Sequence, residues 1–305
     1  MTTTSEQKNA DATRTDVRFD SHGEECGAWL YRPAGEGPFP VVVMCHGLGA
    51  VREMRLDANA RRFAEAGIAA LNFTYRHFGD SDGEPRQLLD IAEQHDDIEA
   101  AIKYVRSLDF VDSDRVALFG SSFGGGNAIS VGARHRDLSA IVVQCPFTDG
   151  PASSGTLGPL STIKIGARAL ADTALGAIGR GPVYALLAGE RGDPAMMTAH
   201  DVVDGYLGLV PEGFDHDNRV AARIALRIMF ERPGRRMKDL NCPTLICACE
   251  KDTVAPYKPT AKYAAKAPNV ELKSYPVGHF DIYVGEPFER AVSDQIEFLT
   301  RNLSV

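Results

Sequence analysis

Val116-Ala117-Leu118-Phe119-Gly120-Ser121-Ser122-Phe123-Gly124 is the stretch whose reading decides the fold. Its apolar opening has the character of a strand buried on both faces of a sheet. Its last five residues fit Gly-x-Ser-x-Gly, and the small residues Gly125 to Val131 that follow are compatible with a helix. The pentapeptide alone says little, since glycine and serine are common. Strand, sharp turn and helix in that order say more. Such a turn lifts the Ser122 hydroxyl clear of the sheet and presents it at a helix N-terminus, and the flanking glycines let the turn tighten without a side chain in the way. The competing readings are a Gly/Ser turn without chemistry and a phosphate cradle. No lysine follows where a phosphate loop needs one, which disfavours the cradle.

Outward from this turn, β-rich runs alternate with helical patterns, the signature of an α/β fold with a mostly parallel sheet flanked by helices. Val17–Phe19 and Gly27–Tyr31 read as opening strands; Val41–Cys45, Ile68–Phe73, Ala140–Val143, Thr244–Ala248 and Val270–Tyr275 repeat the buried-strand character. Apolar residues at Ile91, Ile98, Ile102, Val105 and Leu108, and again at Phe288, Val292, Ile296 and Leu299, follow a helical period. The interval 148–239 breaks the rhythm. It holds no convincing strand, is rich in Ala, Gly and Leu, and is too long for a bare loop. We read it as a mostly helical cap lying over one end of a core made of 16–147 and 240–305, with 1–15 a disordered lead-in. A pair of ordinary crossover helices with long loops is the alternative.

A serine hydroxyl is a poor nucleophile at neutral pH and needs a base within reach. Of eight histidines, His279 follows the last expected strand and so opens at the same sheet edge as Ser122. His46 also ends a strand, but Gly47-Leu48-Gly49 after it suggests that it braces a loop. The base in turn needs a carboxylate to hold its tautomer. Glu250-Lys251-Asp252 follows the strand Thr244–Ala248, and Asp252 lies further out of it than Glu250. Asp149 is the rival. The chain order serine, acid, histidine of hydrolases built on such a turn favours Asp252. Acyl transfer also needs two N–H donors for an oxyanion, and those of Leu48 and Phe123 are the candidates.

With 305 residues and 44% of them hydrophobic, the chain can bury a sizeable core, and its net charge of -8 argues against a nucleic-acid surface. No stretch reaches the ~18–20 apolar residues of a membrane span, and Met1 to Asp16 has no apolar centre of a secretory signal. The six cysteines fall mostly in strand-like runs without zinc-finger spacing, so reduced thiols and a cytoplasmic location are expected, with no metal. Asp80-Ser81-Asp82-Gly83-Glu84 lacks the spacing of a calcium loop and reads as a solvated turn. Arg52, Glu53 and Arg55 either rim the pocket or flank the next helix. Met196 and Met197 suit either an adaptable pocket or core, and Arg235, Arg236 and Lys238 read as a solvent-facing cluster. Neither heptads nor an interface stripe stand out, and oligomeric state stays open, a homodimer included.

Together, the His46-Gly47-Leu48-Gly49 loop, the Gly120–Gly124 turn, the Glu250-Lys251-Asp252 turn and Gly278-His279-Phe280 resemble the α/β-hydrolase superfamily, in the usual order and from about Val17 to the last helix. More narrowly, Gly49–Met54, Tyr75–Pro85 and Gln144–Gly150 make the chain similar to the dienelactone-hydrolase and Xaa-Pro-peptidase-like branch. The likeness is greatest to a group of fungal polyketide transferases and thiohydrolases and bacterial esterases. The resemblance implies an α/β-hydrolase fold with a cap, a Ser122–His279–Asp252 triad, no cofactor, and a small-molecule ester or thioester substrate cleaved through an acyl-enzyme. Acyl transfer, carbon–carbon bond hydrolysis and peptide cleavage would use the same triad. A non-catalytic ligand-binding member of the fold is the non-enzyme alternative, which an intact triad argues against. Monoalkyl esters of dicarboxylic acids enter as substrates by analogy alone. Acyl-chain length and alcohol group are not written in these motifs.

Overall fold

The computed structural model describes residues 12–305. Of the lead-in expected over 1–15, residues 1–11 lie outside the described residues. The remainder corrects the expectation, because Thr13 already opens the first strand, β1 (Thr13–Ser21), paired antiparallel to β2 (Glu24–Arg32). β1 is an edge strand whose outward residues are Thr, Arg and Asp, so only Val17 to Phe19 carries an apolar signal.

The chain then runs β3 (Phe39–Cys45), α1 (Leu56–Glu65), β4 (Ala69–Phe73), α2 (Ile91–Arg106), β5 (Val111–Ser121), α3 (Phe123–Gly132) and β6 (Ala140–Gln144). After the segment 148–239 it closes with β10 (Thr244–Cys249), α8 (Tyr257–Ala264), β11 (Val270–Tyr275) and α9 (Gly285–Leu303). The eight strands lie in the order β1-β2-β4-β3-β5-β6-β10-β11. From β4 to β11 every pairing is parallel, while β2 runs against both its neighbours. Helices on both faces explain the sequence of the central strands: Val41–Cys45, Val116–Phe119 and Ala140–Val143 are wholly buried and hence uniformly apolar. Asp90 caps α2 by accepting the N–H groups of Ala92 and Glu93, and the helix buries Ile98, Ile102 and Val105. α9 buries Phe288, Val292 and Leu299 on its inner face. The parallel strands end at one edge, where the loops after β3, β5, β6, β10 and β11 open together.

The segment 148–239 is mostly helical as expected but, against the expectation of no strand, it also holds a small sheet. Its α-helices are α4 (Gly150–Ser154), α5 (Pro159–Ala177), α6 (Val202–Leu207) and α7 (Ile224–Ile228), and a 3-10 turn over Pro233–Asp239 ends it. Among them stands a three-stranded sheet of β7 (Tyr184–Ala188), β8 (Ala195–Met197) and β9 (Arg219–Ala221), with β7 in the middle, parallel to β8 and antiparallel to β9. A small separate core of Ile165, Ala169, Ala185 and Ala222 ties α5 to this sheet. Buried Asp172 on α5 accepts the N–H of Val183 and both the N–H and the guanidinium of Arg223, joining helix, strand and α7. The outer face of α5 is apolar and open to solvent at Leu160, Ile163 and Leu170, a stripe with no counterpart in the sequence reading.

Candidate active site

Ser122 sits between β5 and α3 with φ 53° and ψ −118°, a backbone state that costs of order 1–3 kcal/mol and persists only where neighbours enforce it. They do so here. The Ser122 N–H donates to the Gln144 carbonyl at 2.9 Å, and its carbonyl accepts from Phe147 at 2.8 Å and Gly125 at 3.0 Å. A side chain at Gly124 would collide with the carbonyl oxygens of Cys45 and His46, so the motif's last glycine lets α3 start hard against the end of β3.

The loop after β11 brings His279 Nε2 to 3.0 Å from Ser122 Oγ, and its Nδ1 to 2.7 Å from Asp252 Oδ2. The His279 and Asp252 side chains are 2% and 1% exposed, so this chain of hydrogen bonds is shielded from water. Asp252 Oδ1 accepts the N–H groups of Val254 at 2.9 Å and Ala255 at 2.6 Å, which fixes the carboxylate before the imidazole reaches it. Burial alone would push His279 below the ordinary histidine value. The Asp252 carboxylate outweighs it, with the Cys145 sulfur 4.0 Å from Nε2 adding in the same direction, and the net shift is upward. Glu250 is exposed. Asp149 caps α4 through the Ala152 N–H and accepts the Tyr263 hydroxyl at 2.7 Å, so it is engaged elsewhere.

His46 is buried edge-on against Tyr75, with ring centroids 4.7 Å apart, and burial pushes its pKa down to about 4. It stays a neutral brace, as its sequence context suggests. The Leu48 N–H, in the turn after β3, and the Phe123 N–H, which opens α3, have no acceptor among the described residues. Both residues line a cavity of about 320 Å³ together with Ser122. A smaller cavity of about 30 Å³ also reaches Ser122, lined by His46, Met54, Tyr206 and His279. The larger one is walled by Phe147, Leu157, Ile165, Met196, Met197, Val202, Leu226, Ile228 and Met229, with Ser and Thr hydroxyls as its polar side chains and no charged residue. Met196 and Met197 are thus pocket residues, while Arg52, Glu53 and Arg55 line neither cavity. Arg52 instead forms a bidentate pair with Asp80 and stacks over Trp29, which makes the Asp80 turn a structural anchor.

Two contacts from the 148–239 segment have no sequence signal. Tyr206 on α6 donates its hydroxyl to the Leu48 carbonyl at 2.9 Å. Leu187 on β7 packs so closely on Gly49, at φ +59°, that any side chain there would drive into it. The loop carrying the Leu48 N–H is therefore clamped from above. Tyr206→Phe is expected to lower kcat about 3–10-fold, the ~0.5–1.5 kcal/mol of one hydrogen bond, with KM for a short ester little changed. Unchanged steady-state constants would show that the loop holds its shape without the bond. Tyr283 is a further residue that sequence reasoning misses. Its hydroxyl lies 2.6 Å from Ser121 Oγ, next to Ser122 in the chain, and 3.5 Å from Cys145 Sγ.

With this geometry in place, comparison with known proteins adds the following. Residues 36–286 match the family model described as serine aminopeptidase, S33. The quorum-quenching protein AidA of Acinetobacter baumannii (strain MDR-ZJ06) is 49% identical over 290 residues, 95% of each chain. A thiohydrolase of Eupenicillium brefeldianum is 26% identical over 94% of each chain. Among solved structures, the α/β hydrolase GrgF from Penicillium sp. sh18 superimposes with a TM-score of 0.83 over 96% of this chain and all of its own, at 24% identity.

Proposed function

The chain belongs to the serine aminopeptidase S33 family of α/β hydrolases, and on that premise we propose that it cleaves a carboxylic ester or thioester through an acyl-enzyme formed on Ser122. The observation that carries this reading is the buried hydrogen-bonded chain Ser122–His279–Asp252 opening onto an apolar cavity. His279 Nε2 takes the hydroxyl proton as Ser122 Oγ attacks the acyl carbonyl. The Leu48 and Phe123 N–H groups hold the oxyanion, each such donor being worth ~2.7–4 kcal/mol in the transition state. Asp252 steadies the imidazolium, which then protonates the leaving group. Water, activated by the same nitrogen, releases the acid and restores Ser122. No cofactor takes part in these steps. Six free, buried thiols support a reducing, cytoplasmic setting.

The cavity lining points to an uncharged, apolar acyl group. A panel of p-nitrophenyl esters from acetate to laurate is expected to give kcat/KM rising with chain length until the cavity is filled. A chain of equal length ending in a carboxylate should fall about 10–100-fold below its methyl-terminated counterpart, because nothing in the lining pairs with a buried charge. A flat response to length, or equal turnover of the charged chain, would place the acyl group outside this cavity. Inertness toward the whole panel, with turnover of an acyl thioester, would narrow the reading to thioesters.

A second reading has its own support. Relatives named polyketide transferase and acyltransferase, 26% identical over 89–95% of this chain, suggest delivery of the acyl group to an acceptor other than water. Product analysis with an added alcohol or amine separates the two. The relative named as a quorum-quenching protein suggests a biological setting, removal of a signal. In this site such a signal would be an ester with an apolar tail, and an N-acyl lactone is the natural addition to the panel.

A further inference from the structure

Helix α5 carries two apolar faces. Ile165 and Ala169 on one, with Ser161 and Asp172, point into the protein. On the other, Leu160, Ile163, Ala167, Leu170, Ala174 and Ala177 recur at spacings of three and four, all exposed. Ile163 and Leu170 are 69% and 64% exposed, more than a lone surface aliphatic residue needs to be. A helix apolar on both faces expects cover on both. The spacing is that of a two-helix seam, and the order of large and small residues along it is self-complementary.

We propose that this face pairs with the same face of a second copy, α5 against α5 in antiparallel order about a two-fold axis between residues 168 and 169. In that register Leu160 meets Ala177 of the second copy, Ile163 meets Ala174 and Ala167 meets Leu170. Every contact then sets one large side chain against one small one, which lets two helices close to the usual 8–10 Å without a void or a clash. A closed isologous pair needs a surface that fits itself, and this one does. Charge agrees. The cations of the helix are turned back onto their own molecule, Lys164 Nζ donating to the Gly192 carbonyl at 2.7 Å and Arg168 Nη1 to the Tyr184 carbonyl at 3.0 Å. The seam is thus free of like charges that would repel in a pair, and it offers no ring of free cations to lipid phosphates. At roughly 100 Å² for each of the six large aliphatic side chains and about 30 Å² for each of the six alanines, both copies together lose on the order of 800 Å², half of a standard interface. The pair is therefore weak and reversible, with Kd of about 10–100 µM.

Sedimentation velocity of the full chain from about 1 to 500 µM tests it. The parent should pass from monomer to dimer across that range. Ile163→Glu should stay monomeric throughout, as should Ala174→Lys. The double variant should dimerise again, because antiparallel order sets the new carboxylate at position 163 of each copy against the new ammonium at position 174 of the other; a parallel pair would not. Ala167→Glu with Leu170→Lys repeats the exchange nearer the axis. None of these residues lines the cavities at Ser122, so ester turnover reports that each variant is folded. A parent that stays monomeric at all concentrations overturns the proposal, as do a dimer indifferent to Ile163→Glu and a double variant that remains monomeric. So does a monomeric parent that co-sediments with phosphatidylglycerol vesicles, which would make a lipid surface the occupant. These outcomes are independent of whether Ser122 is the nucleophile.

Discussion

Ser122→Ala is expected to lower kcat/KM for the preferred p-nitrophenyl ester by about 10⁴–10⁶-fold while leaving the fold and the affinity for an apolar acid product intact. The size follows from what remains. Removing Oγ leaves the Leu48 and Phe123 donors and the cavity in place, so a residue of activity over uncatalysed hydrolysis should persist. His279→Ala should cost about as much, and the double variant scarcely more than either, because base and nucleophile act as one unit. Ser122→Ala should also be tolerated structurally. The strained backbone at 122 is held by main-chain hydrogen bonds to Gln144, Phe147 and Gly125 and not by the hydroxyl. A Ser122→Ala protein that turns over the ester at the parental rate would remove the acyl-enzyme mechanism altogether. One that merely unfolds would be recognised by its melting curve and replaced by Ser122→Gly.

Asp252→Asn is expected to lower kcat by about 10⁴-fold, and the reason lies in a tautomer. The Val254 and Ala255 N–H groups require an acceptor at Oδ1, so an asparagine would keep its oxygen there and turn its NH₂ toward His279. Nδ1 would then have to accept, the ring proton would move to Nε2, and Nε2 could no longer take a proton from Ser122. A pH profile adds a second reading of the same variant. In the proposed mechanism turnover requires neutral His279, so in the parent protein activity is expected to be lost as pH falls through the histidine pKa. That pKa is raised, which places the acid limb of kcat/KM above the ordinary ~6.5. Removing the negative charge at 252 should move what limb remains to lower pH. A parental limb at or below 6.5, or an unmoved limb in Asp252→Asn, would mean that Asp252 does not set the charge on His279.

Much of this site is legible in the chain's residues alone. The central parallel strands are buried on both faces, which forces long apolar runs such as Val41–Cys45, while edge strand β11, parallel too, is half-exposed; all end at the same sheet edge. Once those ends are known, a serine, an acid and a histidine just beyond three of them have few places to go. What stays hidden has physical reasons. β8 and β9 are three residues each, and β7 is Tyr-Ala-Leu-Leu-Ala, a composition as suited to a helix as to a strand. Their pairing with one another decides the matter, and pairing leaves no mark on so short a run. The outer stripe of α5 escapes notice because an Ala- and Leu-rich helix shows two faces only after one is known to be covered. Tyr206 and Tyr283 make their contacts through single hydroxyls delivered from distant elements, one from α6 and one from the turn before α9.

The clamp that Tyr206 and Leu187 place on the Leu48–Gly49 turn bears on how such a protein can be remodelled. The segment that walls the cavity at Ser122 also holds the turn that carries the Leu48 N–H, one of the two proposed oxyanion donors. Selectivity and turnover are then not separable modules. A chimera carrying the 148–239 segment of a relative would inherit that relative's preference for chain shape but would lose rate unless the graft also restored a hydroxyl over the Leu48 carbonyl and an aliphatic side chain over Gly49. Directed evolution toward new acids should accordingly yield its first gains from residues such as Leu226 and Met229, which line the cavity and are not part of the clamp. Changes at 187 and 206 should surface late, as compensations.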